Sequence, residues 1–370
     1  MNGIGCVRLA IAAFVLCAGL SACGNNRGAV SEKPDFSGLD SLVGTWVDKG
    51  YYPGAAICVR RDSSVLFEKC YGNVGGGTPV YVASAGKWVA AAVVAAVVDR
   101  TDLSWDDTVE RWLPEFKGDP KGKIRLRQLL SHTSGIRPYL PEPRVDNYNH
   151  LDSAVAEILP LDTVFTPGTR FEYGGLAMQV AGRMAEVAAG KEFEDLFQEL
   201  LARPLRMEAS HFTPVNTDGG HAPMLGGGLC TTLDDYMNFL DMVAHGGVFE
   251  GKRILEAETV REMQADQVRG AKVRPGEYVE RALGRHHNGI YGLGEWRELV
   301  DDETGEAQRV SSPGWAGAYP WIDLRTGVYG FFIAHVVGGS EKPDGFSSFY
   351  GSPVIADMVA EELSKEEKAE

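Results

Sequence analysis

Ser84 and Lys87 stand three residues apart at the head of an apolar run, Trp88 to Val98. On a helix that spacing puts both side chains on one face, neighbours across one turn. A serine hydroxyl is a weak nucleophile until a base removes its proton. Lysine can be that base only if its pKa falls well below about 10.4, and burial lowers it by disfavouring the charged form. Lys87 is the only charged residue between Tyr81 and Val98, so the sequence supplies that burial. The N-terminal helix position also aims backbone N–H groups at a developing oxyanion. A bare Ser-x-x-Lys is weak by itself, and a first-turn lysine can instead snorkel to water. On the pair alone both readings stand.

Four further segments accompany the pair: Trp112-Leu113-Pro114-Glu115-Phe116, Leu129-Leu130-Ser131-His132-Thr133-Ser134-Gly135, Pro167-Gly168-Thr169-Arg170-Phe171-Glu172-Tyr173 and Arg203-Pro204-Leu205-Arg206-Met207. In this order and spacing the chain resembles the penicillin-recognising serine hydrolases, which include class C β-lactamases, DD-peptidases and β-lactamase-like esterases. The resemblance spans roughly residues 38 to 360. It implies that Ser84 is the acylated nucleophile, Lys87 its general base, and Tyr173 a proton shuttle titrating low beside the lysine. It makes Ser312-Pro313-Gly314 the third element, with the backbone N–H groups of Ser84 and Trp315 as the oxyanion hole. Gly175, Ser312, Gly314 and Trp315 would contact substrate.

Two positions depart from the family pattern. Gly175 stands where Asn is usual, so an amide that grips an acyl-amide substrate is missing. Ser312 replaces a cationic or aromatic residue that helps hold a substrate carboxylate. The acylation residues are intact, so the expectation moves to an esterase, or an amidase of unusual specificity. The alternatives are a β-lactamase or D-amino-acid peptidase, and a catalytically inactive envelope-binding protein of the same fold. No Gly-x-Ser-x-Gly elbow is present, which closes the α/β-hydrolase route.

The other chemistry-bearing residues read as scaffold. His132 is expected to hold its loop, His335 to sit in or at the edge of a strand, and His286 and His287 to lie at the surface. Trp315, Tyr319 and Trp321 are candidates for an apolar acyl pocket, with sheet packing as the alternative, above all for Trp321. The segment 136–150, with Arg137, Tyr139, Arg144 and Tyr148, reads as a solvated loop rather than a gate. The histidines show neither a zinc-protease nor a finger spacing, and no metal or cofactor is implied.

The elements that must position these residues come from periodicity. Residues 54–60 and 64–71 alternate and form a hairpin; 84–99 is a helix buried on all sides. Helical patterns follow at 125–131, 151–159, 174–189, 192–202 and 233–243, strands at 318–324 and 328–337, and a closing helix at 353–367. Strands, then helices, then strands predict an α+β fold: an antiparallel sheet flanked by helices, carrying an inserted, mainly helical lobe. The expected sheet domain is 38–82 with 226–367, and the helical domain is 83–225.

The chain has 370 residues and a formal net charge of −15, enough to bury a large core and too acidic to suggest nucleic acid as a partner. Residues 1–22 read as a signal peptide, with Arg8 before an apolar stretch. Leu20-Ser21-Ala22-Cys23 looks like a bacterial lipobox, making Cys23 a lipid anchor and 23–37 a flexible tether. The expected place is the periplasmic side of a bacterial envelope membrane, the partner a small-molecule, peptide or ester substrate. Of the remaining cysteines, Cys58 and Cys70 could face each other across the hairpin as a disulfide, or stay as buried thiols. Cys230 reads as a small buried residue.

Overall fold

A computed structural model describes residues 34–62, 64–141, 150–213 and 224–367. The signal segment, Cys23, most of the tether, Arg144 and Tyr148 lie outside the described residues. Six strands form one antiparallel sheet: β1 (Gly54–Arg61), β2 (Ser64–Gly72), β3 (Trp296–Val300), β4 (Ala307–Ser311), β5 (Tyr319–Asp323) and β6 (Val328–Ala334). Their order across the sheet is β2-β1-β6-β5-β4-β3. The main helices are α1 (Ser37–Asp48), α2 (Gly86–Val98), α3 (Leu176–Ala189), which packs on α2, α4 (Leu233–Ala244) and α5 (Val354–Glu367).

The central strands are apolar on both sides because the sheet is covered on both sides. Tyr329, Phe331 and Ile333 of β6 join a core shared with α2, α3 and α4. Val328, Phe332 and Ala334, alternating with them, join a second core with Trp46 of α1 and Ile355 and Val359 of α5. Gly330 interrupts β6 for a packing reason: a Cβ there would sit 2.4 Å from the Trp321 ring. Trp321 and Tyr319 are buried in that second core, so sheet packing, not an acyl pocket, is their role.

The hairpin pairs Cys58 with Glu68 and Cys70 with Ala56, so the two thiols share a face but are offset by two residues. Both are free, and the disulfide alternative is corrected: Cys58 is buried and Cys70 exposed. Cys230 is also free and buried.

Strands β3 and β4 escaped the sequence reading because charged residues occupy their core positions. Glu298 and Arg309 are fully enclosed. The Glu298 carboxylate accepts hydrogen bonds from Tyr278 Oη at 2.7 Å, Ser311 Oγ at 2.6 Å and Tyr319 Oη at 2.9 Å, and pairs with Arg309 Nε at 2.9 Å. A charge this deep persists only when paired and hydrogen-bonded. The cluster fixes the end of β4, from which Ser312 continues towards the site.

Candidate active site

A 3₁₀ turn, Ala83–Ala85, carries Ser84 directly into α2. Four bonds hold the turn in place. Val82 N–H donates to Leu229 O at 3.1 Å. Ala85 N–H donates to Val82 O at 3.2 Å. Tyr236 Oη donates to Ala85 O at 2.7 Å, and Ser312 Oγ to Ser84 O at 3.1 Å. Ala83 sits at φ +50, a left-handed conformation that non-glycine residues avoid. Such an outlier persists only where its surroundings over-determine it, and it projects Ser84 from the turn.

Every residue of α2 from Gly86 to Val97 is buried, and Lys87 is 3% exposed. Snorkelling is thereby excluded. Lys87 Nζ lies 3.1 Å from Ser84 Oγ and donates to Gly226 O. It also stands over the face of the Tyr173 ring, 4.7 Å from the centroid. Burial alone lowers its pKa from 10.5 to about 7. An amine so placed is substantially neutral at physiological pH and able to accept the serine proton.

Tyr173 is half-buried and flanked by aromatic rings: Trp296 stacks at 5.0 Å, His132 lies tilted at 4.7 Å, and Tyr291 packs edge-on at 6.0 Å. Burial raises its phenol above the ordinary tyrosine value, and a hydrogen bond with Ser84 offsets only part of that rise. This corrects the expectation of a low-titrating tyrosine. The lysine beside it is itself desolvated and close to neutral, so it supplies little positive field to stabilise a phenolate.

The loop Ser131–Gly135 positions this tyrosine. His132 sits at φ +57, and its carbonyl accepts Glu172 N–H at 2.9 Å, one residue before Tyr173. Its Nε2 meets Tyr291 Oη at 3.2 Å, and burial holds the ring neutral. His132 is therefore part of the scaffold. His335 lies exposed just beyond β6, with Nδ1 3.1 Å from Tyr81 O. His286 is exposed beside Glu280 at 3.2 Å.

Ser84 and Lys87 open onto a cavity of about 240 Å³. Gly175 and Gln179 form one wall; Ala83, Gly226 and Gly227 form another. Tyr139, Met224 and Trp315 frame it, with Tyr139 63% and Trp315 48% exposed. Tyr139 is thus part of the site rather than of an ordinary loop. Ser312 is not a lining residue: it is buried behind Ser84, and its hydroxyl serves the Ser84 carbonyl. Gly314 also stands behind the turn, where a Cβ would lie 2.2 Å from Val82 O. Only glycine lets that strand end come so close.

Gly226, Gln179 and Met224 were missed in the sequence. The available signal was the run Leu225-Gly226-Gly227-Gly228-Leu229, whose glycines let a loop touch both α3 and Lys87. Among the described residues no group of three His, Cys, Asp or Glu side chains could hold a metal ion. Nor is any helix there long and apolar enough to cross a membrane.

The Beta-lactamase family profile matches residues 39–345, most of the chain. The chain belongs to that family. A crystal structure from Bacteroides dorei DSM 17855, provisionally described as a β-lactamase, is 74% identical with a TM-score of 0.87, covering 90% of this chain and 99% of that one. Esterase EstB of Burkholderia gladioli is 26% identical over 332 residues, 76% of this chain and 84% of its own length. Acyltransferase mokF of Monascus pilosus is 29% identical over 206 residues, 46% of this chain. The chain spans half of mokF, and less of several other curated relatives. The family joins serine hydrolases with esterase and acyltransferase members on the β-lactamase fold.

Proposed function

We propose that this chain hydrolyses esters through an acyl-enzyme on Ser84. The observation that carries the reading is Lys87: fully buried, 3.1 Å from the Ser84 hydroxyl, and lowered to a pKa of about 7. In acylation, Ser84 Oγ attacks the ester carbonyl as its proton passes to Lys87 Nζ. The backbone N–H groups of Ser84 and Trp315 stabilise the oxyanion. Collapse of the tetrahedral intermediate expels the alkoxide, which takes the phenolic proton of Tyr173; the tyrosine is refilled from Lys87. Water then attacks the acyl-enzyme by the reverse proton path, freeing the acid and Ser84.

An ester is favoured over a β-lactam for two reasons. Gly175 offers no side-chain amide, and Lys87 is the only charged side chain among the described lining residues. A substrate carboxylate would find there only Lys87, which as a base must be neutral, and no other cation to pair with. The similarity to Esterase EstB supports the same choice.

The test is intact-mass spectrometry of the body from residue 30 onward after treatment with a fluorophosphonate, beside Ser84→Ala. One adduct on the wild type and none on the variant is expected. A folded wild type that takes no adduct overturns the reading and leaves a binding protein of the same fold. Faster turnover of a chromogenic cephalosporin than of p-nitrophenyl esters replaces the esterase with a β-lactamase. The lipid anchor is a second proposal, supported by Leu20-Ser21-Ala22-Cys23: Cys23→Ala should move the protein out of the membrane fraction.

A further inference from the structure

Two glycines from separate segments meet beside Lys87. A Cβ on Gly226 would lie 2.8 Å from Gly175 Cα and 3.6 Å from Lys87 Nζ, so this loop has no room for a side chain. Gly175 is different. A Cβ there meets only Gly226 Cα, at 3.8 Å, an ordinary contact, so a Cβ would fit and the cavity begins where it would point. Gly175 is the N-cap of α3, and Gln179 lies four residues on, on the same helix face one turn further in. Both line the cavity that contains Ser84. Gln179 is 3% exposed, and its Oε1 accepts Leu225 N–H at 2.9 Å, which ties the amide to the loop carrying Gly226. Met224 and Tyr139 supply apolar surface on the remaining sides.

We propose that the space left open at Gly175 is the acyl subsite, floored by Gln179, and that residue 175 sets the length of acyl group accepted. The proposal rests on the acyl-enzyme reading and names its substrate class: esters of short, uncharged acids longer than acetate. The volume is below the several hundred Å³ of a drug-sized pocket, which limits the acyl group to a short chain. Its body lies against Met224 and Tyr139, and its end reaches the Gln179 carboxamide. A side chain at position 175 occupies the first part of this path. It therefore shuts out the longer acyl group before it touches a two-carbon one.

The experiment is kcat/KM for p-nitrophenyl acetate, butyrate and hemisuccinate in the wild type, Gly175→Ala and Gly175→Leu. Each butyrate-to-acetate ratio is read within one protein, so a general loss of activity cancels. Two methylenes moved from water into an apolar site are worth about tenfold in that ratio. The wild type is expected to favour butyrate by roughly that factor; Ala should erode the preference and Leu abolish or reverse it. The alanine variant adds only the Cβ that the cavity already accommodates, so the series remains informative if the leucine variant does not fold. A ratio indifferent to residue 175 in an enzyme that hydrolyses these esters overturns the subsite and leaves the acyl-enzyme reading intact. Hemisuccinate turned over as fast as butyrate overturns the uncharged class. A wild type inert to every ester and to the fluorophosphonate overturns the acyl-enzyme reading on which the subsite depends.

Discussion

Burying a lysine beside Ser84 has a thermodynamic signature that can be measured without any substrate. In the unfolded chain the amine keeps its proton up to about pH 10.5; in the folded protein it keeps it only to about 7. Between those values the unfolded state binds more protons, so this lysine makes stability rise with pH across that window. Below about pH 7 the penalty is present in full. At about 1.4 kcal/mol per pH unit it is on the order of 4 kcal/mol at pH 7. Lys87→Met removes the penalty but leaves the Gly226 carbonyl without its donor, which returns about 1–3 kcal/mol. The expected net gain is about 2 kcal/mol, a rise in Tm of roughly 3 °C for a protein of this size.

Scanning calorimetry of wild type and Lys87→Met from pH 6 to 9.5 reads this directly, because every other titrating group cancels in the difference. The variant should melt higher at pH 6 to 7, and the gap should close as the pH rises. It should also fail to take the fluorophosphonate. Parallel Tm curves over the whole range would refute the reasoning: Lys87 would then be solvated in the native state, and Ser84 would have no base of lowered pKa.

The remaining predictions test the neighbouring parts. The pH profile of kcat/KM for a neutral ester should rise through about pH 7 as Lys87 loses its proton. It should show no falling limb from Tyr173 below pH 10, since burial raises that phenol; a bell centred below pH 8 would contradict this. Tyr173→Phe should lower kcat about 100-fold or more while leaving Tm within a few degrees, measured by ester turnover beside calorimetry. Gly314→Ala should abolish acylation by driving the strand end off the Ser84 turn, since the new Cβ would meet Val82 O at 2.2 Å; fluorophosphonate labelling at unchanged speed would show that the contact relaxes harmlessly. Glu298→Ala strands Arg309 in the core, and urea titration should show a loss of about 3–5 kcal/mol.

What the sequence disclosed, and what it hid, divides by burial chemistry. The Ser84–Lys87 pair and the helix behind it were legible because a single charge in an apolar run has few explanations. The hairpin 54–72 and β5 and β6 were legible because alternation and β-branched residues mark strands. Strands β3 and β4 were not, since Arg297, Glu298 and Arg309 occupy buried positions that a pattern reader assigns to solvent. Helix α1 lies in the stretch 38–48 that the periodicity reading assigned to the sheet domain without naming an element, although Leu39, Val43 and Trp46 form its buried stripe. Ser312 was assigned to substrate because its neighbours matched a motif. Its inward hydrogen bond to Ser84 O depends on a strand-to-turn approach that sequence spacing does not encode.

The site concentrates features that work against stability. Lys87 is desolvated, Ala83 is held at φ +50, and Gly226 and Gly314 leave no room for a Cβ against neighbouring backbone. The surroundings are more conventional: α2 is buried from Gly86 to Val97, and the Glu298 carboxylate accepts three hydroxyl donors and pairs with Arg309. This division has a mechanical sense. Lys87 stays close to neutral because its own helix and the Gly226 loop enclose it, leaving the cavity side alone open to substrate and water. On the proposed acyl-enzyme reading, substrate choice falls to Gly175, where an added Cβ meets only Gly226 Cα, at 3.8 Å. On that reading reactivity and specificity fall to different parts of the same cavity, so substitutions at Gly175 should alter which ester is cleaved, and substitutions at Lys87 whether any is.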